Sequence, residues 1–127
     1  MTSLDTNVVL RLLLGDVSQQ AERSSTLLRK TRCYLTDAVA VEVIYVLEKV
    51  YKYPRSRIIL FLRKLLTIDN LRCSEFVLVE VLDLYQKQQT LSIIDCYAAV
   101  EAEITNNRLA TFDKKLLKHG GAHVLEI

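Results

Sequence analysis

Glycine and proline are scarce in this chain, with three of the first and one of the second among 127 residues. That scarcity excludes a long flexible linker or a low-complexity tail. Long apolar runs are missing too: Ile58 to Leu62 is five residues long and no run exceeds it, which excludes a membrane-spanning helix. The N-terminus, Met1-Thr2-Ser3-Leu4-Asp5, has no basic head, apolar core or cleavage pattern of a secretory leader. The expectation is a cytoplasmic protein with no membrane partner. Cysteine is odd in number (Cys33, Cys73 and Cys96) and no pair has metal-ligand spacing. In apolar surroundings these residues read as small buried hydrophobes of a reducing compartment. His119 and His123 have no cysteine or acidic partner at zinc spacing. A net charge of +2 is not the footprint of a strong DNA binder, although clustered basic residues would still meet a polyanion.

What is present is enough apolar material for one core: half of the residues are hydrophobic, and the length fits a single domain over 1–127. Short apolar segments alternate with longer segments of helical period. Thr2 to Leu4 suits only a short strand. Val8, Val9, Leu12 and Leu13 then recur at helical spacing, with Asp5 or Thr6 as a cap, until Gly15-Asp16 breaks the pattern. A second helix is expected over Ser18 to Lys30, with Ala21, Ser25 and Leu28 on one face, and a strand over Cys33 to Leu35. Thr36 and Asp37 open a helix to about Tyr51 whose core stripe reads Val39, Val43, Val46, Leu47 and Val50. Glu42 borders that stripe, and Glu48 points the other way, toward solvent. Pro54 separates it from Arg55 to Leu66, a helix apolar on more than one face and so buried on several sides or covered by a partner. Leu71 to Cys73, Arg108 to Thr111 and His123 to Ile127 are strand candidates. Val77 to Lys87, Ile93 to Asn106 and a short segment to Lys118 are helix candidates. The order argues for an α/β fold, with a mostly parallel central sheet of about five short strands flanked by helices.

Sheets of that kind carry their sites beyond the carboxyl ends of the strands. Asp5 and Asp113 each follow a strand candidate closely, although either alone also reads as an N-cap. Asp95 sits on a stripe of small residues with Ala98, Ala99 and Ala102, as an early-turn acid or an acid facing a site. Glu42 reads equally as solvated. If the four converge, they repel one another and call for cations. Hard oxygen ligands without histidine or cysteine select Mg²⁺ or Mn²⁺. Such ions serve hydrolysis of a phosphodiester by a metal-activated water. A haloacid-dehalogenase-type phosphatase would need a second aspartate where Asn7 stands, a receiver domain needs an early acidic pair, and no glycine-rich phosphate loop occurs.

Four segments together resemble the PIN-domain family. They are Leu4-Asp5-Thr6-Asn7-Val8-Val9-Leu10-Arg11, then Val41-Glu42-Val43 with Tyr45-Val46-Leu47-Glu48, then Ile94-Asp95-Cys96-Tyr97-Ala98-Ala99, and Leu109-Ala110-Thr111-Phe112-Asp113-Lys114-Lys115-Leu116. Within the family the chain is most similar to VapC-like toxins of bacterial toxin–antitoxin pairs. The resemblance implies a PIN-like three-layer sandwich and an acidic pocket of Asp5, Glu42, Asp95 and Asp113. Asp5, Asp95 and Asp113 would be the metal ligands, with Glu42 binding through water or orienting the nucleophile. Asn7 and Thr111 match polar positions beside the pocket. It also implies an RNA substrate, a small antitoxin partner and a homodimer, which suits the apolar Arg55 to Leu66 helix. Arg11, Lys114 and Lys115 are candidate RNA phosphate contacts. One departure stands out: many relatives carry an acid three positions before the third acid, where this chain has Ser92. One tightly bound ion rather than two is the expectation. The competing expectations are a PIN-fold module that binds RNA or protein without cutting, and a DNA nuclease.

Overall fold

The structure, a computed structural model, describes all residues 1–127. The chain divides into two compact units, Met1–Glu75 and Phe76–Ile127.

The first unit starts with β1 (Thr2–Ser3), α1 (Thr6–Leu14) and α2 (Ser18–Lys30). It continues through β2 (Cys33–Leu35), α3 (Asp37–Lys49), α4 (Arg55–Leu65) and β3 (Leu71–Cys73). The three strands pair in the order β1-β2-β3, all parallel, with Ser3 opposite Tyr34 and Leu35 opposite Cys73. Parallel pairing needs a crossover between neighbours, and the helices supply it. α1 buries Val9 and Leu10 and stops where Gly15 takes a left-handed φ of 63° and its amide donates to the Arg11 carbonyl. A side chain there would meet nothing, so the preference for glycine is one of backbone conformation alone. α3 is capped by Thr36, whose hydroxyl accepts from the Val39 amide at 3.2 Å.

Two expectations for α3 are corrected. Its buried face is Ala40, Val43, Ile44 and Leu47, whereas Val50 is 66% exposed. Valines surround this helix, so its apolar pattern marked no unique stripe, and small Ala40 was passed over. Glu48 is not solvated: it accepts from Arg55 Nε at 3.0 Å and lies 3.7 Å from Lys49 Nζ. The chain reverses just after α3, where Lys52 takes a φ of 59°, and this brings Arg55 back to Glu48. The left-handed residue also ends α3 two positions before the expected Tyr51. α4 buries Ile58, Ile59, Leu62 and Leu65, and leaves Leu60 52% exposed.

The second unit holds almost all of α5 (Glu75–Lys87), followed by α6 (Ile93–Ile104) and β4 (Leu109–Thr111). It closes with α7 (Lys114–His119) and β5 (Val124–Glu126). β4 and β5 pair in parallel, with Ala110 opposite Leu125. α6 buries Ile93, Cys96, Ala99, Val100 and Ala102. It ends two residues before the expected Asn106, because Asn106 itself takes the left-handed φ of 59° that asparagine tolerates. α5 begins at Glu75, two residues earlier than its apolar period suggested. α7 ends on Gly120, where a Cβ would come within 2.6 Å of the Leu116 carbonyl oxygen. His123 Nε2 lies 2.6 Å from the Ala99 carbonyl and ties the approach to β5 onto α6.

The α/β class, the five short strands and the parallel pairing are as expected. The hydrogen-bonded ladder falls into a three-stranded set and a two-stranded set, one in each unit. No helix is long and apolar enough to cross a membrane.

Candidate active site

In the first unit, Asp5 directly follows β1 and Leu4 and occupies the N-cap of α1. Its carbonyl accepts from the Val9 amide, but its carboxylate makes no capping hydrogen bond. The capping explanation for this aspartate therefore fails at the side chain, which is left exposed beside the positive end of the helix. One residue on, Thr6 is 7% exposed, and its hydroxyl donates to Glu42 Oε2 at 3.0 Å. That bond ties the start of α1 to the second turn of α3 and fixes one oxygen of Glu42. Thr6 was not picked out as a site residue from sequence. Its only signal was its place between Asp5 and Asn7, and periodicity says nothing about a hydroxyl bond across 36 positions.

The same end of the three-stranded sheet carries further acids. Asp37 follows β2 and Glu75 follows β3. Cys73, at the end of β3, has its thiol pushed up first by burial and then by the charges of Glu75 and Asp37. Burial likewise pushes up the Cys33 thiol. Thiols held protonated in this way are poor nucleophiles and poor metal ligands. What this edge offers a ligand is carboxylates.

Asn7 is exposed, one residue beyond Thr6. Arg11 is not a solvated surface charge: its side chain is 15% exposed, and its guanidinium holds Asp16 Oδ2 and the Tyr51 hydroxyl, each at 3.1 Å.

In the second unit, Ser92 caps α6, its hydroxyl accepting from the Asp95 amide at 3.1 Å. Ser92 is therefore spent on the helix end. The half-buried Asp95 sits in the first turn, where its carboxylate takes no part in capping. Asp113 follows β4 and caps α7: Oδ1 accepts from the Lys115 amide at 2.8 Å and the Leu116 amide at 3.3 Å. Oδ2 is left over. Thr111 faces inward on this turn, its hydroxyl accepting from the Asp113 amide at 2.9 Å. Lys114 and Lys115 are exposed on α7.

The structure thus joins Thr6 to Glu42 beside Asp5, Ser92 to Asp95, and Thr111 to Asp113. Within neither unit do three carboxylate, imidazole or thiol groups gather closely enough to hold a metal ion. The four candidate acids are all oxygen donors, and Asp5, Asp95 and one oxygen of Asp113 keep their lone pairs out of helix capping. That donor set fits a hard divalent cation and fits zinc or copper poorly.

The sequence profile of the PIN domain family matches residues 3–122, a span that runs through both units and takes in all four acids. The chain belongs to the PIN domain family, whose members are generally nucleases and typically use divalent metals. No curated protein matches the chain. Among solved structures it is similar to one described as a toxin–antitoxin complex from Klebsiella pneumoniae, at 16% identity over 100% of each chain and a TM-score of 0.37. That likeness is too slight in shape to carry an argument.

Proposed function

We propose that the two units work as a single nuclease domain over residues 1–127. In this reading Asp5, Asp95 and Asp113 hold Mg²⁺ or Mn²⁺, and RNA phosphodiesters are hydrolysed by water. The observation that carries it is the state of Asp5. It stands at a helix N-cap, inside a family match that spans all four acids, yet its carboxylate does no capping. A residue chosen for the helix would be expected to bond it. When bound, the divalent ion supplies charge neutralisation at the scissile phosphate and a lowered pKa for water. The chain's own residues do the rest. Thr6 donates to one oxygen of Glu42, leaving the other to orient the attacking water. Asp113 would offer Oδ2 to the ion, while Oδ1 anchors α7. Lys114 and Lys115 draw in the RNA backbone.

On the motif resemblance, the nuclease acts in the cytoplasm as the toxin of a toxin–antitoxin pair and is restrained by a small antitoxin. Leu60, exposed on α4, suits a homodimer contact. With Ser92 in place of an acid, one ion is held tightly rather than two. A second reading, a PIN-fold module that binds RNA or protein and cuts weakly or not at all, is favoured by one observation: neither unit alone gathers three ligands.

Purified protein incubated with matched RNA and DNA hairpins, with Mg²⁺ or with EDTA, tests the proposal. RNA cleavage that stops in EDTA is expected. Metal-dependent RNA binding without cleavage would favour the second reading, and preferential DNA cleavage would overturn the substrate assignment.

A further inference from the structure

α1 and α2 enclose a cleft of about 430 Å³, lined by Asn7, Arg11, Gln20, Arg23 and Ser24 together with two aliphatic side chains. Its volume lies in the range of small-ligand sites, of roughly 300–1,000 Å³. The charged lining is wholly cationic. Two guanidiniums and two amides line it and no carboxylate does. The Ser24 hydroxyl is already given to the Gln20 carbonyl at 2.8 Å.

The Arg11 guanidinium is the telling group. It is bound at both ends, to Asp16 and to Tyr51, so its plane is fixed. Its Nε is buried and makes no hydrogen bond. That leaves one donor of a fixed guanidinium unmet beside the cleft. Arg23 makes no ion pair. Two guanidiniums against the one carboxylate of Asp16 leave a single net positive charge, which is what one phosphodiester requires. The cleft also starts where the proposed chemistry is: Asn7 is on its wall, two residues after Asp5. Along the helix Arg11 lies about 9 Å beyond Asp5, on the order of two to three stacked nucleotides at about 3.4 Å each.

We infer that this cleft is a phosphate subsite for the RNA strand, holding a backbone phosphate two to three nucleotides from the bond that is cut. Arg23 binds its oxygens beside the fixed charge of Arg11, with Asn7 and Gln20 as amide donors. This inference rests on the RNA nuclease reading for the identity of the polyanion.

The test uses the full chain in EDTA, so that nothing is cut, and a fluorescent single-stranded oligoribonucleotide read by anisotropy at 50 and 200 mM salt. Arg23→Ala is the main variant, because Arg23 is exposed and its loss leaves nothing unpaired. It should weaken binding and lower the salt slope by about 0.7, so that its deficit is about two- to threefold larger at 50 than at 200 mM. Lys64→Ala, which removes an exposed cation of α4, should bind as the parent does. Arg11→Lys, which keeps the charge and loses the fixed guanidinium, should weaken binding with a smaller change in slope. Parent-like affinity and slope in Arg23→Ala would overturn the subsite and leave the nuclease reading intact if RNA is still cut in Mg²⁺. No RNA binding by the parent, with no cleavage, would overturn both. An oligoglutamate peptide that loses affinity in Arg23→Ala, while RNA binding does not move, would overturn RNA in favour of an acidic protein segment.

Discussion

Asp5 and Asp113 occupy the same kind of position and use it differently. Each follows a short parallel strand and stands at the N-cap of the next helix. Asp113 gives one oxygen to two backbone amides, whereas Asp5 gives none. The two halves of the molecule differ accordingly. In the second unit, stability and the proposed chemistry share the side chain of Asp113. In the first they are divided: Gly15 and Thr36 shape the helix ends, while the Asp5 carboxylate caps nothing. A carboxylate at a strand end is therefore ambiguous until its hydrogen bonds are known.

Substitution separates the two cases. Partners that merely support a metal ligand are worth about 10–100-fold, so Asp5→Asn and Asp95→Asn, which remove the proposed ligands outright, should each lower cleavage by more than about 100-fold. Neither should lower Tm as much as the loss of a cap, since neither carboxylate caps a helix; calorimetry alongside the rate assay checks both halves of that statement. A fall in Tm for Asp5→Asn as large as that for Asp113→Ala would erase the contrast with Asp113.

Asp113 should show the opposite coupling. Asp113→Ala loses a cap worth about 1 kcal/mol, or roughly 3–5 °C in a chain of this size, together with activity. Asp113→Asn keeps an acceptor for the α7 amides and should lose activity alone. Equal melting of the two variants would contradict a capping role.

How much of this was legible in sequence follows from the range of each interaction. Caps and breaks are local: Gly15, Thr36, Pro54 and Asp113 are where residue chemistry put them, and the five strands stand where short apolar runs meet turn residues. The stripe of α3 was misplaced because valine is apolar on every side of that helix and only packing selects a face. The Glu48–Arg55 pair was invisible because it depends on the reversal at Lys52. The four acids could be named because they match a family's order, but capping and chemistry could not be told apart without the hydrogen bonds of Asp5 and Asp113. Thr6 was hidden for the same reason as Glu48, since its partner is far away in sequence.

Thr6 supplies the next largest effect. Thr6→Val should cost about 10-fold in rate, as for other residues that orient a ligand through a hydrogen bond. Because Thr6 acts through Glu42, kcat should fall more than metal affinity, and adding Glu42→Gln should cost less than it does in the parent. Full additivity would show that the two side chains act independently.

The smallest effect concerns Cys73. Its raised pKa should slow alkylation by iodoacetamide at pH 8 relative to a free thiol. Glu75→Gln should speed the reaction by removing one of the charges that disfavour the thiolate. An unchanged rate would leave burial and the charge of Asp37 as the causes.

The central claim is that acids from both units serve one metal-dependent reaction. The most direct measurement is Mn²⁺ binding by titration calorimetry to the parent, Asp5→Asn and Asp95→Asn, with RNA cleavage followed on the same samples. The account predicts that the parent binds Mn²⁺ and cuts RNA, and that either single substitution, one in each unit, abolishes both. Parent-like binding and cleavage in either variant, or cleavage that persists in EDTA, would contradict it.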